Sequence, residues 1–143
     1  MKKIIASLLI SLSLTSPLAA AEIISFDLGG SVGEYIQKYT AARLSEQKYR
    51  IEGLCVSACT MITGNIPEDR VCATEYGILA FHSAWSMTPF GPIHSPEGTR
   101  ILGQMLPKNV KEMLRARGFD PDKGEEHPDL IYIRAQDIYK ACN

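Results

Sequence analysis

The stretch Gly53–His82, GLCVSACTMITGNIPEDRVCATEYGILAFH, decides how the rest of the chain is read. A β-type run ends in Gly53-Leu54-Cys55-Val56, and Ser57 follows where a helical pattern begins. Ala58, Cys59, Met61 and Ile62 carry that pattern to Gly64, a natural helix stop. A second β-rich run, Arg70–Thr74, leads to a third, Ile78–Phe81, which ends on His82. A serine at a strand-to-helix turn projects its hydroxyl beside backbone N–H groups that have no partner inside the helix. A histidine closing a neighbouring strand is placed to serve as its base.

Working outward, the same strand-turn-helix order appears once more before this stretch. Ile23–Leu28 reads as a short strand and runs into Gly29-Gly30, where the backbone can turn with positive φ. Val32, Tyr35, Ile36 and Tyr39 then recur at helical spacing to about Leu44. Tyr49–Glu52 starts the strand that enters the Ser57 turn. Such alternation predicts parallel strands joined by right-handed crossovers. Gly29-Gly30 and Ser57 both follow strands, so both belong at the carboxyl edge of the sheet, where such folds place ligands.

After His82 the pattern changes. Residues 83–96 hold three prolines and Trp85 and read as a loop. Pro96-Glu97 opens a helix with Ile101, Leu102, Met105 and Leu106 on one face, which Pro107 must interrupt. Val110, Met113 and Leu114 carry a second helix to Gly118. Residues 119–128 form an acidic loop, Leu130–Ile133 a last strand, and Ala135–Ala141 a final helix.

The 143 residues allow one domain, and a composition 45% hydrophobic and 22% charged supplies a core. Residues 1–21 read as a cleaved signal peptide, leaving 22–143 as the single domain. Met1-Lys2-Lys3 is basic, Ile4–Leu14 is apolar, and Ser16–Ala21 supplies small residues for cleavage. The apolar run is shorter than the ~20 residues a membrane span needs, so no stable anchor is expected after cleavage. Cleavage takes two of the 15 basic residues and none of the 16 acids, leaving a net charge near −3. That balance argues against a nucleic-acid partner, and no basic cluster contradicts it. Periplasmic or secreted location follows from the leader.

All four cysteines, Cys55, Cys59, Cys72 and Cys142, lie in the exported part and read first as disulfides. Three pairings exist, among which sequence does not choose; the pairing leaned towards is Cys55–Cys72 with Cys59–Cys142.

Gly29-Gly30, Ser57 and His82 together resemble the active-site frame of the Clp protease proteolytic subunit, within the wider crotonase-like superfamily. Gly53 lies four residues before Ser57, Arg70 precedes the strand to His82, and the serine and histidine are 25 residues apart. The Cys-x-Ser-Ala-Cys-Thr run with a later Gly-x-x-x-Phe-His is similar to a group of exported proteins related to that peptidase. The resemblance covers about Ile23 to Cys142. It implies a truncated form of that fold, an α/β domain with a small, mostly parallel sheet flanked by helices. The family's earlier strands have no counterpart here, and Pro107 interrupts the helix used there for ring assembly. The resemblance implies a serine hydrolase, most readily a peptidase, acting on a peptide or ester with no metal and no organic cofactor. Ser57 is then the nucleophile and His82 the base, with the N–H groups of Gly30 and Ala58 as the oxyanion hole. Glu126 falls nearest the position of the third, acidic member, with Glu125, Asp122 and Asp129 close by.

Each residue also has a plainer reading. Ser57 alone is a common helix N-cap, and His82 alone a structural histidine. His94 and His127 read as surface loop residues. The Cys55-x-x-x-Cys59 spacing also suits a copper or redox protein, and a catalytically silent binding module could keep the same scaffold. The sequence leaves the substrate, the third member and the oligomeric state open.

Overall fold

The structure, a computed structural model, describes residues 20–143. The expected leader lies outside the described residues, apart from Ala20 and Ala21. Strand β1 (Glu22–Asp27) is followed by helix α1 (Val32–Leu44) and strand β2 (Tyr49–Val56). β1 and β2 are parallel, with Asp27 beside Cys55, so α1 is the crossover that the sequence predicts. A 3-10 turn (Ser57–Met61) and the short α2 (Ile62–Asn65) lead on to β3 (Val71–Ala73) and β4 (Ile78–Phe81).

β2 is long enough to serve two neighbours on its second edge. Its first half pairs with β3 and its second half with β4, both in parallel. Strand β7 (Ile131–Arg134) closes the sheet antiparallel to β4. The sheet is thus mixed, with three parallel pairings and one antiparallel. The central strands β2 and β4 carry the core: Ile51, Cys55, Leu79 and Ala80 are buried, as parallel strands covered on both faces require.

Gly53 has a packing role. A Cβ at Gly53 would lie 2.0 Å from the Ser25 carbonyl oxygen. That close approach falls where the β1–β2 register shifts, between Ile24 and Phe26.

Two segments depart from the sequence expectation. Residues 83–96 are not merely a loop: β5 (Trp85–Thr88) and β6 (Gly91–His94) form an antiparallel hairpin. Its strands are largely exposed, so no buried stripe marks them in the sequence. The final helix is also shorter than expected. A 3-10 turn spans Ala135–Asp137 only, because the chain then pairs with β3: Ala73 N–H donates to Lys140 O and Cys142 N–H to Ala73 O.

Helix α3 (Pro96–Met105) is capped by the Ser95 hydroxyl, which accepts from Gly98 N–H. It ends before Pro107, and α4 (Lys108–Arg115) restarts after it. Lys111 and Arg115 of α4 pair with Asp122, fastening the acidic loop to the helix.

Three tyrosines, Tyr39, Tyr49 and Tyr139, are almost fully buried. Burial is the main cause pushing their hydroxyls up, Tyr49 to about 12 and the other two further. The ordinary tyrosine value is about 10. Below pH ~10 both states keep these protons and the native state has its full advantage. Above it the unfolded chain ionises first, so stability falls with rising pH. For Tyr49 the loss spans pH ~10 to about 12. A tyrosinate absorbance titration is expected to show these hydroxyls ionising in step with unfolding; simple titration near pH 10 in the folded protein would contradict it.

Candidate active site

The carboxyl ends of β1, β2 and β4 meet at one cleft of about 610 Å³. Gly29, Gly30, Ser57 and His82 all line it, together with Trp85 of the hairpin and Leu102 of α3. The structure therefore brings the sequence-selected Gly-Gly turn, serine and histidine together at one edge of the sheet.

Ser57 is not an N-cap. It is the first residue of the 3-10 turn, Val56 occupies the cap position, and no side-chain cap bond forms. Its φ is +55°, the left-handed region, which costs a non-glycine residue on the order of 1–2 kcal/mol. Three contacts hold this conformation. The Thr60 hydroxyl donates to Ser57 O at 2.6 Å. A disulfide joins Cys55 to Cys59 across the turn. The Tyr39 hydroxyl of α1 donates to Cys59 O at 2.8 Å.

The cysteine pairing corrects the expectation: Cys55 bonds Cys59, and Cys72 bonds Cys142. The turn brings Cys59 back over Cys55, with their Cα atoms 5.4 Å apart, within bonding reach.

The Gly-Gly turn lies directly against Ser57. Gly29 has φ +78°, and a Cβ there would meet Val56 O at 2.5 Å and Ser57 Cβ at 2.9 Å. Its N–H donates to Asp27 Oδ1, which also accepts from the Tyr35 hydroxyl. Asp27 thus fixes the turn while Gly30 N–H donates to no protein acceptor among the described residues. Ala58 N–H lies in the first turn of the 3-10 segment, where helical geometry supplies no acceptor. Gly29→Ala is expected to cost about 2 kcal/mol or more in urea unfolding. Gly30→Ala, whose Cβ would come no nearer than 3.7 Å to Tyr35, should cost far less. Equal costs would show that the close Gly29–Ser57 approach does not constrain the turn.

His82 is half-buried, and its Nδ1 hydrogen-bonds the carbonyl oxygen of Ser83. No hydrogen bond joins Ser57 Oγ to His82 among the described residues. Glu126 is exposed and makes no hydrogen bond to His82; a backbone carbonyl stands at Nδ1 instead. His94 and His127 are half-buried rather than surface residues. His94 Nε2 meets Thr99 Oγ1 at 3.2 Å, and the His127 backbone is clamped by the Ser83 hydroxyl. Ser83 and Thr99, fully buried polar residues beside the cleft, escaped the sequence reading. Their only signal is a serine next to the candidate histidine and a threonine on the first turn of α3.

Among the described residues no cluster of three or more metal-ligating side chains occurs, and no helix is long and apolar enough to cross a membrane. No family model, curated protein or solved structure matches the chain.

Proposed function

We propose that the chain is an exported serine hydrolase acting on peptide or ester substrates, in line with its resemblance to the Clp protease proteolytic subunit. One observation carries the reading: Ser57 is held at positive φ on a strand-to-helix turn, in the same cleft as His82. Strained backbone of this kind is characteristic of functional turns, and a nucleophilic serine on a sharp strand-to-helix turn is a recurring hydrolase device.

In this reading His82 Nε2 takes the Ser57 proton as Oγ attacks the substrate carbonyl. The oxyanion forms beside Gly30 and Ala58 N–H, an arrangement worth about 10²–10³ in rate per donor. His82 returns the proton to the leaving group, and the acyl-enzyme is released by water that His82 activates. Apo hydrolase sites often have a long serine–histidine approach that closes with substrate. The two disulfides suit an oxidising compartment, which agrees with a periplasmic or secreted location.

A second reading, a catalytically silent binding module on the same scaffold, is favoured by the missing Ser57–His82 hydrogen bond. The copper or redox reading has less support, because both sulfurs of the Cys55–Cys59 bond are fully buried, away from a partner thiol. A fluorophosphonate probe separates the classes. Labelling at Ser57 supports the hydrolase; a folded, unlabelled protein would leave the binding module.

A further inference from the structure

We infer that the peptide group between Ser83 and Ala84 does the work of a third, acidic member for His82, and that Thr99 and Ser83 are its positioning residues. The inference rests on the hydrolase reading and adds to it the means by which the base is oriented.

One end of this peptide, Ser83 C=O, accepts from His82 Nδ1. Its other end, Ala84 N–H, donates to Thr99 Oγ1 at 2.9 Å. Thr99 is fully buried; its hydroxyl donates to Ser95 O at 2.9 Å, and its oxygen, which accepts from Ala84 N–H, also meets His94 Nε2 at 3.2 Å. The result is a chain of aligned dipoles: Thr99 to peptide to imidazole. Each bond polarises the next, so the carbonyl is a better acceptor than an isolated one.

The peptide is also held from both flanks. Ser83 is fully buried and bound to His127 through three hydrogen bonds. Its N–H donates to His127 O at 3.3 Å, its hydroxyl contacts the same oxygen at 3.0 Å, and His127 N–H contacts Ser83 Oγ at 3.0 Å. The His127 ring rests on buried Phe119, 5.2 Å between centroids. On the far side, Ser95 N–H donates to Ala84 O at 2.8 Å. A neutral carbonyl so fixed does two things that a carboxylate does. It holds the ring in one orientation, and it keeps the proton on Nδ1, leaving the Nε2 lone pair for the nucleophile. It does not supply a negative charge to the imidazolium, so of the two functions of a triad acid it takes over orientation alone.

The test uses the full-length mature protein with two independent readouts. Nitrogen-15 spectra of the histidines at pH 8.5 report which ring nitrogen of neutral His82 carries the proton, whether or not a substrate is known. Turnover of an activated ester reports kcat and KM. Expected are the Nδ1–H tautomer in the wild type and its partial loss in Thr99→Val and Ser83→Ala. In those variants kcat falls about tenfold with KM unchanged, and Thr99→Ser restores both readouts. Glu126→Gln, Glu125→Gln and Asp129→Asn should stay within about twofold. Loss of an orienting carboxylate in a triad costs on the order of 10⁴ in kcat. A hundredfold loss in any of the three acid variants would therefore overturn the inference. An Nε2–H tautomer in the wild type would do the same, as would wild-type kcat in Thr99→Val. If Thr99→Val fails to fold, the wild-type tautomer and Glu126→Gln still decide. An intact Nδ1–H tautomer without labelling of Ser57 overturns the hydrolase reading alone.

Discussion

Ser57→Ala is expected to abolish fluorophosphonate labelling and to lower ester or peptide turnover by at least about a thousandfold. Nucleophile and base act as a unit, so removing either removes nearly the whole covalent route. The substitution should leave the fold intact, because the Ser57 side chain makes no cap bond and the turn is held by Thr60, Tyr39 and the Cys55–Cys59 bond. Alanine keeps the cost of φ +55°, whereas glycine removes it. Ser57→Gly should therefore be equally inactive yet about 1 kcal/mol more stable than Ser57→Ala in denaturant titration. This pair separates chemistry from strain. Turnover that survives in both variants would take Ser57 out of the mechanism. Glycine less stable than alanine would mean that the left-handed turn is not strained in solution.

The parts of this site that were legible in the sequence are those that follow from strand ends. Gly29-Gly30 and Ser57 close β1 and β2, and parallel pairing puts both at the same edge. His82 follows β4, which pairs with the second half of β2, and so joins them. What escaped depends on contacts distant in sequence. Ser83 meets His127 across 44 residues, and Thr99 reaches back to Ala84 across 15. No periodicity or spacing encodes such contacts, and a buried serine has the same letter as an exposed one. The hairpin of β5 and β6 was missed for a related reason. Its strands bury little, so the alternation that betrays a half-buried strand is absent, and Phe90 at its tip is fully exposed. Glu126 rests only on its position in the resembled family. The chain satisfies His82 Nδ1 locally, one residue away.

The two disulfides are expected to separate stability from activity. Cys72–Cys142 spans 70 residues and fastens the C-terminus beside β3. By loop entropy its removal in Cys72→Ala/Cys142→Ala should cost about 4 kcal/mol. For a domain of this size that corresponds to a Tm lower by roughly 15 °C. The cleft lies at the other end of the strands from this bond, since Cys72 pairs with Arg50 near the start of β2 while Ser57 follows its end. Molecules that remain folded should thus keep their labelling rate at Ser57. Cys55–Cys59 spans four residues and encloses Ser57. Its loss in Cys55→Ala/Cys59→Ala should cost only about 2 kcal/mol by the same entropy. It also removes a brace from a turn whose left-handed residue carries its own conformational cost, so the chain can relax φ and turn the hydroxyl away from the cleft. The labelling rate per folded molecule should then fall at least tenfold. Urea titration gives the stability order, and single-turnover labelling below the unfolding transition gives the activity order. The two orders should be opposite. A Cys55/Cys59 variant that labels like the wild type would show that the short bond does not brace Ser57, and a Cys72/Cys142 variant that loses labelling while fully folded would show that the long bond is not remote from the cleft. A Cys55–Cys72 cross-link in a digest of the unreduced protein would refute the pairing on which both expectations stand.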